Sequence, residues 1–167
     1  LFLEILKSNI FVNENLNFNI EVKSKNISDH RKLKDLNLRI NFENQLLNFN
    51  ESNFLLEDIL KINLVESKFI NSKKRYFFGK FEILIYDHSN LYRFFQTKKK
   101  FRKKINSIHV TIKYDFLKDN LILKELIIDD KSNEKIKNFI KQYNQDNVII
   151  RNKADLRNFF NSFIKEL

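Results

Sequence analysis

Chemistry at a protein site needs converging side chains with tuned protonation or metal-binding geometry, and this sequence offers few. Its three histidines, His30, His88 and His109, lie far apart in the chain. None sits in an HxH or HExxH pattern or beside paired carboxylates. His109 alternates onto the polar side of its segment, and all three read as surface or turn residues. The chain has no Cys, which removes disulfides, thiolate nucleophiles and the common structural zinc sites. Asp129-Asp130 is a weak acidic cluster. A metal site needs more oxygen ligands at fixed spacing, so a turn or capping role is expected there. Gly79 is the single glycine, so no glycine-rich phosphate cradle can be built. Inside a strand it marks a bulge or close packing. These residues predict a protein that is not an enzyme and that carries no metal and no cofactor.

The densest charge cluster is the run Lys98, Lys99, Lys100, Arg102, Lys103, Lys104, with Phe101 in its middle. Nucleic acid would meet such a run through its phosphates, with salt-dependent affinity. Anionic lipid head groups would be attracted similarly. The third reading is a solvated connection with Phe101 turned inward, its lysines suiting the C-terminal end of a preceding helix. The overall charge of +10 has a compositional side as well. Asn, Lys, Ile and Phe dominate, Pro and Trp are absent, and Ala occurs at Ala154 alone. That is the signature of an A/T-rich genome drifting toward Lys on solvated surfaces. Nucleic-acid readers usually interleave exposed aromatics with basic residues on a sheet face. Here the strand aromatics fall with the aliphatic residues, which favours their burial and makes nucleic acid the less favoured partner.

The elements that position these residues are mainly strands. In Leu16–Lys23 every second residue is apolar, and Leu36–Phe42 and Ile108–Phe116 repeat the pattern. Side chains alternate across a strand, so each segment has one apolar and one polar face, as in antiparallel sheets with one wet side. Further strands are expected at 45–50, 59–65, 68–72, 76–86 and 121–128. Asn, Asp, Ser and Lys clusters replace Gly and Pro in the turns, at 13–15, 24–35, 50–53, 71–74 and 118–120. Helical spacing appears near 90–96, with Ser89 as candidate N-cap, near 133–144 with Asn133 as cap, and near 153–166. A short strand is expected at Val148-Ile149-Ile150. The predicted fold is mainly β with C-terminal helices (α+β): a curved antiparallel sheet with one apolar face.

No run approaches the roughly 18 apolar residues of a spanning helix. The chain starts at Leu1 and contains no Met, so a fragment or processed segment is expected. The apolar face is the stronger clue to a role, because it must be covered by helices, another sheet or a ligand.

From Tyr76 onward the order of features is familiar. Phe77-Phe78-Gly79-Lys80-Phe81-Glu82-Ile83 leads into Asn90–Gln96, the basic run, the amphipathic hairpin 108–128, the segment Ile128–Asn133 with its helix, and the aromatic-rich Leu156–Phe163. This resembles the C-terminal region of AsmA-like envelope proteins of A/T-rich alphaproteobacteria. The scarcity of Gly departs from the more mixed composition of that family. The resemblance covers 76–167, and 1–75 fits the family's repetitive β region in style, giving a division that is expected to be continuous.

What the resemblance implies is a long β-groove, anchored in the inner membrane by an N-terminal segment missing here and facing the periplasm. Its apolar interior would shield phospholipid acyl chains during lipid transport and outer-membrane assembly. Groove candidates are Leu16, Phe18, Ile20, Val22, Leu36, Leu38, Ile40 and Phe42. Ile108, Val110, Ile112 and Tyr114 could face the groove or lie beneath the helices. The alternative of another class is a basic nucleic-acid-binding or ribosome-associated domain.

Overall fold

A computed structural model of the protein describes residues 16–26, 33–71, 75–146, 150 and 152–167. Its strands are β1 (Phe18–Asn26), β2 (Leu33–Glu43), β3 (Leu46–Asn48), β4 (Ser52–Leu56), β5 (Leu60–Asn71), β6 (Arg75–Ile85), β7 (Ser107–Asp115) and β8 (Asn120–Ile128). Its helices are α1 (His88–Phe94), α2 (Glu134–Gln145) and α3 (Lys153–Glu166), with a 3-10 turn at Lys99–Phe101. The strands form one antiparallel sheet in the order β1-β2-β3-β5-β6-β7-β8, and β4 also lies between β2 and β5. The architecture is therefore mainly β, an antiparallel sheet followed by C-terminal helices. β5 and β6 pair continuously from Leu60↔Ile85 to Asn71↔Arg75, so the sheet runs on without a seam at residue 75.

Local sequence explains the hairpins. β2 and β3 are joined by Asn44-Gln45, both at positive φ (50° and 62°), the two-residue turn whose twist matches the strands. Asp129-Asp130 repeats this geometry (46° and 59°) across the Ile128↔Lys131 bridge, and Asp129 Oδ1 accepts the N–H groups of Asn106 (2.8 Å) and Ser107 (2.9 Å). The acidic pair is thus a turn, as its spacing suggested. Asp130→Gly completes an Asp-Gly turn at an exposed position and should raise stability by about 0.5–1 kcal/mol in urea unfolding. Between β7 and β8 the chain uses a longer loop, 116–119, than the tight turn expected at 118–120, and Asn120 already pairs with Asp115. Asp115 Oδ1 holds that loop by accepting from the N–H groups of Leu117 and Lys118.

The stretch expected to be a turn at 50–53 conceals a different device. β3 and β4 are two halves of a single lane, both paired to β2 and to β5, with residues 49–51 looping out between them. Side chains replace the missing ladder. Ser52 Oγ accepts from Arg39 N–H (2.9 Å) and donates to its carbonyl (3.1 Å) on one side. On the other, Asn50 Oδ1 accepts from Ser67 N–H (2.7 Å) while the Phe49 N–H donates to the Ser67 carbonyl (2.7 Å). Buried backbone groups cannot be left unpaired cheaply, so this polar stretch could span the interior of a sheet only with such substitutes. The segments expected at 59–65 and 68–72 are one strand, β5, carrying a bulge between Leu64 and Glu66. That bulge and those at Lys34/Asn37 and Thr111/Ile112 bend their strands and keep the apolar side chains on one face.

Partners in register share a face. One row reads Phe18, Phe42, Leu47, Phe69, Phe77, Tyr114, Leu121 across every lane. Another reads Phe54, Ile62, Ile83, Ile108, Ile128. The opposite face carries rows such as Glu66, Lys80, Thr111, Glu125. Where aromatics do fall on that wet face, cations lie over them, Lys68 on Phe78 and Lys113 on Tyr76 at 4.3 Å. Gly79 is a close-packing site. A Cβ there would meet the Phe81 and Phe77 rings at 2.5 and 2.6 Å, because those rings close over the gap.

The helices complete one end. Asp87, not Ser89, caps α1, because Asp87 Oδ1 reaches the Asn90 N–H (2.9 Å) from one residue before the helix. That hydrogen bond holds the Asp87 carboxyl below the usual aspartate range. The cap's contribution is present above the unfolded value and is lost as pH falls through the lower folded one. Wild type should therefore lose stability below about pH 4 relative to Asp87→Asn, which caps without titrating, in paired melts at stepped pH. Asn133 caps α2 as expected, with Glu134 in its first turn, and Asn152 caps α3. α2 also seals the outer edge of β8, where the Asn144 amide accepts from Leu123 N–H (2.9 Å) and donates to its carbonyl (2.8 Å). Of the strand expected at 148–150 only Ile150 is described, and the turn at 13–15, residues 27–32 of the turn expected at 24–35, residues 72–74 and His30 lie outside the described residues; 24–26 and 33–35 belong to β1 and β2.

Candidate functional site

Two surfaces inherit the sequence expectations. The first is the apolar face of β1 and β2. Phe18 pairs with Phe42, Ile20 with Ile40, Val22 with Leu38, and Ser24 with Leu36, which puts the groove candidates of both strands on one side. They are not equally accessible. Phe42 is 1% exposed and belongs to a core cluster with Leu47, Phe49 and Phe69. Phe18 stacks on Phe42 at 5.2 Å, and Leu16, Leu38 and Ile40 pack against the same cluster. Leu36 is half-buried. Ile20 and Val22 stand 45% and 41% exposed. The burial of Phe42 follows from its central place in an aromatic row, so it shapes the face without presenting its ring to solvent.

The later residues divide. Ile108 and Val110 lie in the second cluster, beneath α1 and α3, together with Leu60, Ile85, Leu91, Leu126, Phe160 and Ile164. Tyr114 instead packs on Phe116, 4.7 Å between rings, at the far end of the sheet. Sequence periodicity missed Phe54, Ile62, Leu64 and Phe81, which continue the face across β4, β5 and β6. The interruption of β4 and the bulge in β5 break the period there, whereas Phe81 alternates regularly with Phe77 and Ile83 in β6.

The second surface is the basic segment between α1 and β7. Lys98, Lys99, Lys100, Arg102, Lys103 and Lys104 are all exposed. The segment is nonetheless pinned. Phe101 turns inward onto the helical core. The Tyr92 hydroxyl donates to the Lys103 carbonyl and accepts from the Lys103 N–H (2.9 Å). Burial pushes the Tyr92 phenol above its ordinary range. Arg102 Nε donates to the Thr97 carbonyl (3.0 Å). The sequence also gave no sign that α3 joins this surface. Its residues Lys153, Arg157, Asn161 and Lys165, four apart and so on one row, meet Phe94, Gln96, Thr97 and Phe101 in turn. Their regular spacing is a signal, but only the fold shows what the row faces. Among the described residues no carboxylate forms an ion pair with these cations.

Catalytic geometry has little to draw on. His88 Nε2 lies 2.7 Å from the Ile105 carbonyl, and His109 lies 3.6 Å from Asp130 on the wet face. Among the described residues no cluster of His, Asp and Glu could hold a metal ion, and no helix is long and apolar enough to cross a membrane. The fold and its surfaces define a class: an antiparallel meander with one apolar face, closed at one end by helices with a cationic row. No protein-family model, curated protein or solved structure matches the chain.

Proposed function

We propose that this chain is a non-catalytic, lipid-handling segment of an AsmA-like envelope protein, working on the periplasmic side of the inner membrane. Its apolar sheet face would shield phospholipid acyl chains. The observation that supports this most is the partial cover of that face. The helices pack on the Ile108–Leu126 end, while Ile20 and Val22 on β1 remain open to solvent. Contact with such a face stabilises an acyl chain by roughly 0.8 kcal/mol for each methylene removed from water. An antiparallel sheet that is not closed on itself leaves a track along its strands, and Leu36, Leu38 and Ile40 line it, with Ser24 opposite Leu36 a polar member of the face.

Photoactivatable phospholipid presented to the full chain tests the reading. Cross-links are expected on Ile20, Val22, Leu36, Leu38 and Ile40 by mass spectrometry. Ile20→Asp combined with Val22→Asp should lower labelling at least tenfold with an unchanged melting curve, since both positions are exposed. Labelling that spares this face would overturn the proposal. So would a salt-sensitive complex with short RNA in place of any lipid adduct, which would move the function to the basic segment.

A further inference from the structure

A separate feature lies beneath α3. Between that helix and the sheet is a cavity of about 130 Å³, lined by Leu60, Ile85, Ile108, Leu126, Phe159 and Phe160 among others, with no polar surface. An apolar void of about this size stays dry and accepts a hydrocarbon of benzene size. Leu156 also lines it and is 39% exposed, so the cavity reaches the surface at the N-terminal half of α3. Cations gather at that place. Lys153 Nζ sits 4.8 Å over the Phe94 ring, Phe94 packs edge-on against Phe95, and Phe95 lines the cavity. Arg157, one turn along, reaches Gln96.

We propose that this cavity and the α3 row form a binding site for a short single-chain anionic amphiphile, its tail limited to about six carbons by the cavity volume. The hydrocarbon end enters beneath α3 past Leu156, and the carboxylate or phosphate head is held by Lys153 and Arg157. The two halves argue together. Apolar lining alone is met by any hydrocarbon, and a cationic row alone by any polyanion. Their juxtaposition selects a molecule that is greasy at one end and negative at the other. The Lys153 and Lys165 ammonium groups lie over the Phe94 and Phe101 rings, 4.8 and 5.7 Å from the centroids, which sets positive charge directly beside apolar surface. Nucleic acid has no use for the cavity, so it is the less suited occupant. The inference goes beyond the open face proposed above and uses none of the β1 and β2 residues assigned to phospholipid there.

Calorimetric titration of the full chain decides the matter, with hexanoate and hexyl phosphate as anionic probes whose tails suit the cavity, hexyl maltoside as neutral probe, inorganic phosphate as tail-less probe and a short RNA as polyanion. Both anionic probes are expected to bind at least tenfold more tightly than the maltoside, and inorganic phosphate not measurably. A preference between the two anionic probes would tell whether a carboxylate or a phosphate head is favoured. Lys153→Gln with Arg157→Gln should bring anionic affinity down to the neutral level. Val110→Phe, which fills the cavity, should weaken both anionic and neutral probes, with Val110→Leu as the milder filling if the first variant melts early. Equal affinity for neutral and anionic probes, or binding indifferent to filling, would sink the idea. RNA binding lost in the Lys153/Arg157 variant without amphiphile binding would reassign the row to nucleic acid. If Ile20→Asp and Val22→Asp abolished probe binding instead, this inference would fall while the sheet-face reading stood. If they left it intact while abolishing phospholipid labelling, both would stand.

Discussion

Phe160→Ala should lower the stability of the folded chain by about 3–5 kcal/mol. Phe160 is 7% exposed and stacks on Phe95 with ring centroids 3.9 Å apart, and Tyr92 lies tilted at 6.4 Å. Its ring fixes α3 to α1. The neighbouring polar contacts cannot replace it. Asn161 Nδ2 donates to the Phe95 carbonyl (2.9 Å) and Thr97 Oγ1 donates to Asn161 Oδ1 (2.7 Å). These hydrogen bonds set the register of the helix, but each contributes only about 1 kcal/mol net. Truncation would also enlarge the cavity beneath α3, which Phe160 already lines, and cavity volume adds to the lost transfer energy. Urea unfolding should show a lower midpoint, and amide exchange should show α3 losing protection ahead of β5 and β6. A change below 1 kcal/mol would mean that α3 is not fixed through this ring.

The second large effect is expected at the other end of the sheet. Phe69→Ala should also cost about 3–5 kcal/mol. Phe69 is 1% exposed, sits between Leu47 and Phe77 in the long aromatic row, and meets Phe116 edge-on at 5.2 Å. Phe116 comes from the β7–β8 loop and folds back over the sheet, so its ring depends on Phe69 for support. The position is also two residues along the same strand face from buried Ser67, whose hydroxyl has no hydrogen-bond partner among the described residues. Collapse of the site would thus press on a polar group that cannot move to water, which limits relaxation. Because Phe69 and Phe160 belong to different clusters, the milder pair Phe69→Leu and Phe160→Leu should add to within about 0.5 kcal/mol. Strong coupling in that cycle would show the two cores to be one.

Much of this architecture was legible beforehand, for identifiable reasons. Period-2 alternation places β1, β2 and β7, because each has one polar and one apolar face and no interruption along most of its length. Asn133 with Glu134 announced α2 through the chemistry of helix ends. Asp129-Asp130 read as a turn because two such residues accept left-handed backbone. The same reasoning failed where the signal is not local. Ser52 and Asn53 fall in an expected turn and Phe54–Leu56 in no expected element, since this lane depends on the Ser52 and Asn50 side chains for part of its pairing. Positive φ at Glu51, Glu57 and Gln96 was invisible too, because Glu and Gln carry no turn preference and the surrounding pairing imposes it. The sequence points to Ser89 as the cap where the structure has Asp87, because helix phase cannot be read to a single residue from so short a segment.

The apolar face itself follows from the order of residues, as side chains two apart on a strand must share a side. The exposed basic run follows as well, since six charged side chains in seven positions cannot be buried. What only the tertiary structure decided is how those features are shared out. Register across the lanes made Phe42 core and left Ile20 and Val22 open, and the docking of α3 carried Lys153, Arg157 and Lys165 to the Lys98–Lys104 segment. Both depend on contacts between residues distant in sequence, where packing and not local preference sets the geometry.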